Sequence, residues 1–292
     1  MMIIREELEK HLQNVLQKLQ QTAADEQMKA WIVKKGRTHP VQVAEMMSEL
    51  LKSEQIVSQI NALGLDSDYA AQAAEAIALL HDTGRLSEVD LQSGKFRRSE
   101  QMTGYSHEIE SYNLAQKFGI DDINILLPIK YHDAFNIDEK IQADLAYQKL
   151  NNQQKQQLIL FAYLIQDADR MANLKTYAKN GIKGTSETLD PAYTCKAQVS
   201  KDVKAAILNG EIPQKAVEQT YIDALLRFLA LSFCFHFGAT RQIFNNKVAD
   251  EIFAHVLKEI EENAVSAQER KQAEIDASEI FAFIRKKSAQ PC

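Results

Sequence analysis

Apolar residues recur at helical spacing along almost the whole chain, and nowhere do they alternate for long enough to make a strand. Residues 3–21 set Leu8, Leu12, Val15, Leu16 and Leu19 along one side. Between Pro40 and about Leu63, a second stripe runs through Val43, Met46, Met47, Leu50, Leu51 and Ile60. Pro40 suits a first helical turn, where its missing N–H costs nothing. A Gly64-Leu-Asp-Ser-Asp turn leads into an Ala-rich helix over 68–82. Residues 84–105 read as a loop, after which Ser106 is placed to cap a helix over 107–118 that stops at Gly119. Further helices are expected at 121–133, 138–149 and 152–180, then near 195–209, 213–237, 245–263 and 266–287. The expected fold class is all-α.

At 292 residues the chain is long enough for one large domain or two ordinary ones. The stretch GIKGTSETLDPA, residues 181–192, is the linker candidate on its Gly, Pro, Ser and Thr content. It divides the chain into an expected domain at 1–185 and a helical C-terminal extension at 186–292. No run approaches the ~18 apolar residues of a membrane span, so no membrane partner is expected. The N-terminus is charged from Arg5 onward and lacks a small-residue cleavage site, unlike a signal peptide. Cys195, Cys234 and Cys292 are odd in number and widely spaced, which fits a reducing cytoplasm better than a disulfide framework. A net charge of −6 argues against general nucleic-acid binding. It leaves a small anionic substrate open, because a few local cations or metal ions can dominate the field of a cleft.

The metal-capable residues form an ordered set. His39 opens a helix after Arg37-Thr38, and His81-Asp82 closes another in EAIALLHDTGR. His107 follows Ser106, and His132 lies late in ILLPIKYHDAF. The helix QDADRMANL, residues 166–174, places Asp167 and Asp169 in apolar surroundings, where acidic residues rarely stand without a partner. Imidazole and carboxylate together suit divalent Mn, Fe, Co, Ni or Zn. Four His and two Asp exceed the needs of one tetrahedral zinc and match two ions about 3.5–4 Å apart.

The order H…HD…H…H…D over residues 30–180 resembles the HD-domain superfamily of helical, metal-dependent phosphohydrolases. ALLHDTGR is similar to that family's HD-x-G-K/R element, and DADRMANL to its closing A-D-R-L-x-N element. The resemblance implies an HD-type helical bundle holding two divalent ions. Carried over by position, His39, His81, Asp82 and Asp169 would hold the first ion, Asp82 would bridge, and His107 and His132 would complete the second. A bridging water, acidified by the metals, would then attack phosphorus. Asp167 and Asp169 point about 200° apart on a helix, so at most one faces the ions. Asp169 is preferred because it follows Ala168 as the family's closing Asp follows Ala.

Around this set, Arg85 is placed to reach a phosphate oxygen, and Arg does so bidentately. Lys95, Arg97 and Arg98 in SGKFRRSEQ read either as a phosphate-recruiting cluster or as a solvated loop. Asp133 reads as a ligand, a general acid or a surface carboxylate. His11 and His255 read as surface residues, and His236 as a core histidine with Cys234 a small buried neighbour. The aromatic run Phe228, Phe233, Phe235 and Phe237 reads as core or as a homodimer face. HDAFNIDE departs from the dinucleotide-cleaving HD-GYP type, and Thr-Gly-Arg after HD departs from the guanosine-tetraphosphate hydrolases. The expected activity is hydrolysis of a phosphomonoester or phosphodiester, with a nucleotide or similar small phosphorylated metabolite as substrate. HD-type di-iron oxygenases share the ligand pattern and stand as the alternative chemistry. A non-catalytic nucleotide-binding module is the alternative without turnover.

Overall fold

Helices carry nearly all the regular structure of the computed structural model, which describes residues 2–22, 24–97, 102, 104–134, 136–180, 209–210 and 235–288. The chain divides into two compact units, Met1–Asp169 and Arg170–Cys292. The linker expected at 181–192 lies outside the described residues, as do nearly all of the helices expected near 195–209 and 213–237. The last three residues of the latter, Phe235 to Phe237, are described and are not helical.

In the first unit, α1 (Met2–Gln20) turns Leu12, Val15 and Leu19 inward, where they meet Met28, Ile32, Leu86 and Val89 in one apolar cluster. His11, expected at the surface, is half-buried with its ring edge-on to Phe118. A short helix that the periodicity did not announce, α2 (Glu26–Val33), starts where the Asp25 carboxylate accepts from the Met28 amide. It passes through a π-helical segment, Lys34–Thr38, into α3 (His39–Leu50). There the His39 amide bonds back five residues to the Lys34 carbonyl.

The single helix expected over 40–63 is two helices. α4 (Glu54–Ala62) begins afresh at Ser53, whose hydroxyl caps the Ile56 amide. Serine competes for backbone groups well enough to end one helix and start the next. After it, α5 (Ser67–Leu80) is capped by the Asp66 carboxylate on the Tyr69 amide at 2.8 Å. Asp66→Ala should lower stability by about 1 kcal/mol, read as a shift in the urea midpoint with no change in the denaturant slope.

The expected loop at 84–105 holds regular structure too short to show a period. A 3-10 turn, Thr83–Glu88, leads into an antiparallel hairpin of β1 (Val89–Asp90) and β2 (Lys95–Phe96). Then α6 (His107–Lys117), capped by Ser106, ends before Gly119, which takes the left-handed φ of +82° expected of a helix-stopping glycine. α7 (Ile123–Tyr131) follows. The helix expected over 138–149 is split into α8 (Ile137–Gln142) and α9 (Leu145–Gln148), because the Asp144 carboxylate caps a new start on Ala146. α10 (Asn152–Asn180) contributes Leu158 and Ala162 to a cluster with Leu127, Ile137 and Ile141.

In the second unit, α11 (Gly238–Lys247), α12 (Ala249–Asn263) and α13 (Ala267–Ser288) follow one another. The helix expected at 245–263 thus restarts after Val248, and Phe253 of α12 stacks on Phe281 of α13 at 4.4 Å. Phe235 and Phe237 are buried and His236 is half-buried. Among the described residues, no helix is long and apolar enough to cross a membrane.

Candidate metal centre

Two helices of the first unit deliver histidines by the same local device. Near their N-terminal ends α5 and α7 are tied together, with Tyr69 Oη donating to Asp122 Oδ2 at 2.7 Å and accepting from Asn124 Nδ2 at 3.0 Å. At their C-terminal ends stand His81 and His132, each as C-cap. Helix ends leave carbonyls without amide partners. His81 Nδ1 lies 2.7 Å from the Ala78 carbonyl, and His132 Nδ1 lies 2.8 Å from the Ile129 carbonyl. A carbonyl only accepts, so Nδ1 carries the proton in both rings and Nε2 is the nitrogen left for another partner. The two ring centroids are 4.9 Å apart.

The remaining donors arrive from three other elements. His39, in the first turn of α3, places Nε2 2.9 Å from Asp169 Oδ1 of α10. The same Asp169 oxygen lies 3.8 Å from His81 Nε2. His107, opening α6, places Nε2 3.4 Å from Asp82 Oδ1 and 3.9 Å from Asp133 Oδ2. Asp82 sits at the centre, with Oδ1 also 3.8 Å from His132 Nε2 and Oδ2 3.8 Å from His39 Nε2. Asp169 is therefore the acid that faces these imidazoles. Asp167 is fully buried but joins none of these contacts.

The environment leaves most of these groups ready to donate a lone pair. Burial raises the Asp82 carboxyl, but the Lys35 and Arg85 cations beside it hold it well below the usual carboxylate range. Burial likewise opposes Asp169, and its contacts with His39 and His81 overcome it to the same effect. Burial lowers the imidazole of His81 and takes His107 down to about 3, so both are neutral at ordinary pH. His132 goes the other way. Burial lowers it, yet the Asp82 and Asp133 carboxylates together raise it to about 9, so a proton and a metal ion compete for its Nε2. Burial raises Asp133 to about 6, against the opposing pull of His132.

The donor set fits a metal. Nε2 of His81 and of His107 are buried with no hydrogen-bond partner, a costly state for polar atoms with nothing to bind. Donor atoms of His39, His81 and Asp169 lie within 4.8 Å of one another, as do those of His81, Asp82 and His132, and those of His107, Glu108 and Asp133.

Two residues in and around this set escaped the sequence reading. Lys35 donates to Asp82 Oδ2 at 3.0 Å, and the only sequence signal for it is a cation one turn ahead of His39. Glu108 Oε2 lies 3.4 Å from His107 Nδ1 and accepts from Ser106 Oγ, a placement that adjacency to His107 alone did not reveal. Of the expected phosphate-binding cations, Arg85 is at the centre, with Nε 2.8 Å from Asp82 Oδ1. The side chains of Lys95 and Arg97 are exposed on and beside β2, and among the described residues no ion pair joins them to the donors. Arg98 lies outside the described residues.

Residues 36–174 match the family model described as HD domain. No curated protein and no solved structure matches the chain.

Proposed function

The chain carries an HD domain over residues 36–174, the domain of a superfamily of metal-dependent hydrolases, and from that premise we propose that it is a phosphohydrolase acting on a small phosphorylated molecule. The observation that carries this reading is Arg85. Its guanidinium pairs with the buried Asp82 carboxylate among metal-capable donors, yet its side chain keeps 23% of its surface exposed to solvent, from which an anion would come.

In this reading His39, His81, Asp82 and Asp169 would hold one divalent ion, and Asp82, His107 and His132 would hold a second. When bound, such ions acidify a coordinated water and draw charge from phosphate oxygens. The chain's own residues do the rest. Asp82, kept ionised, offers an oxygen to each side. His81 and His132 present Nε2 without searching rotamers, because their Nδ1 bonds fix the rings. Arg85 orients the phosphate through paired N–H groups. Asp133, 4.0 Å from Arg85 and raised to about 6, would pass a proton to the leaving oxygen.

Purified protein supplied with Mn or Ni should release phosphate from a generic aryl phosphate, and a chelator should stop it. A nucleotide panel then sorts substrates. No phosphate release with any divalent ion, together with iron-dependent oxygen uptake on a small polyol or phosphonate, would overturn the reading in favour of an oxygenase. Tight nucleotide binding without product would overturn it in favour of a binding module.

A further inference from the structure

Lys35 belongs to no motif, yet its ammonium sits on the central carboxylate. The two oxygens of Asp82 are shared out in a regular way. Oδ2 takes Lys35 Nζ at 3.0 Å and faces His39 Nε2 at 3.8 Å. Oδ1 takes Arg85 Nε at 2.8 Å and faces His107 and His132 Nε2 at 3.4 and 3.8 Å. Each oxygen therefore has one cation, with one imidazole facing Oδ2 and two facing Oδ1. Both cationic side chains are more exposed than the carboxylate, at 13% and 23% against 4%.

An ion held by His39 and Asp82 would use the oxygen that Lys35 occupies. Two cations cannot share one carboxylate oxygen at contact distance in so buried a place without strong repulsion. Arg85 has other acids within reach, Glu88 at 3.3 Å and Asp133 at 4.0 Å. Lys35 has none: among the described residues Asp82 is the only acid within 4.0 Å of its Nζ. Glu88 feels the Lys35 charge from beyond that distance, but its ion-pair partner is Arg85. An ammonium displaced from Asp82 is therefore open to an anion that the substrate brings. Lysine suits the exchange, being a compact charge on a flexible stem. Its root also suits it, since π-helical turns within α-helices are frequent at functional sites, and Lys35 lies in one that ends at His39.

We propose that Lys35 is a substrate-binding residue, which gives up Asp82 Oδ2 to a divalent ion and takes a phosphate oxygen of the substrate in its place. Ion and phosphate binding are then coupled through one side chain. The proposal rests on the phosphohydrolase reading above. Its two arms carry opposite signs, which a merely structural lysine does not produce.

The test is calorimetry on the full chain with Mn alone, then with inorganic phosphate added to the Mn-loaded protein, for wild type, K35Q and K35R. Circular dichroism verifies that each variant is folded. K35Q should bind Mn more tightly than wild type, because a competing cation is gone. It should bind phosphate about tenfold or more weakly, the loss of one hydrogen bond to a charged group. K35R should recover most of the phosphate affinity. Weaker Mn binding in K35Q, or phosphate binding equal to wild type, overturns the role of Lys35 and leaves the phosphohydrolase reading intact. Phosphate that fails to bind even Mn-loaded wild type overturns that reading and this proposal with it.

Discussion

His81→Ala should leave the protein folded but strip it of bound divalent ion and of phosphate release from an aryl phosphate. His81 is the one residue common to two of the donor groups, with His39 and Asp169 on one side and Asp82 and His132 on the other. Its ring is fully buried and its Nε2 has no hydrogen bond, so removing it deletes a donor and opens a cavity, with no hydrogen bond of Nε2 lost in exchange. Changing a residue that merely supports a metal ligand costs about 10–100-fold in metal affinity or activity. Loss of the ligand itself should exceed about 100-fold in kcat/KM by that scale. Elemental analysis of the variant, beside its kinetics, separates the two effects. Metal content and turnover close to wild type would sink the idea that these imidazoles form a metal centre.

Gly84→Ala should be the most damaging glycine-to-alanine change among the described glycines of the first unit. A Cβ at that position would lie 2.0 Å from the His107 carbonyl oxygen and 2.7 Å from the Ser111 amide nitrogen. Both are backbone atoms of α6, which cannot swing aside as a side chain would. The helix would have to retreat, breaking the Gly84 amide's bond to Ser111 Oγ and the Tyr105 hydroxyl's bond to the Gly84 carbonyl, each 2.8 Å. Overpacking of this kind costs about 1–3 kcal/mol and sometimes more; contact with rigid backbone puts this case at about 3 kcal/mol or above. His107 would move away from Asp82 with its helix, so metal affinity should fall together with the urea midpoint. A variant with the wild-type midpoint would show that the two segments approach less closely than the structure has them.

Gly84 also marks where sequence reading stops. From EAIALLHDTGR it reads as a turn residue that lets Arg85 face the substrate. Its φ is not in the left-handed region, and what excludes a side chain is α6 lying across it. Nothing local to residue 84 announces a helix that begins at 107. The same limit hides Lys35, whose importance lies in an aspartate that follows it by 47 positions. The all-α class was legible because period 3.6 is a local property. The convergence of His39, His81, Asp82, His107, His132 and Asp169 was legible as an ordered pattern of side chains with unusual chemistry. Helix geometry shows that at most one of Asp167 and Asp169 faces the imidazoles, and the resemblance at Ala168 pointed to Asp169, which is the one that faces them. Local chemistry announces the caps at Asp25, Ser53 and Asp144, but the hydrophobic stripes run straight across Ser53 and Asp144, and Asp25 lies outside them.

The facing donors begin at His39 and end at Asp169, and they come from five stretches of chain well separated in sequence. An ion gripped by His39, His81 and Asp169 would join positions 130 residues apart, and an unfolded chain offers it no comparable grip. Its binding energy is then also folding energy, and the folded fraction rises with the free ion concentration. A cell starved of that ion would lose this protein by turnover of unfolded chains as well as by silencing its chemistry.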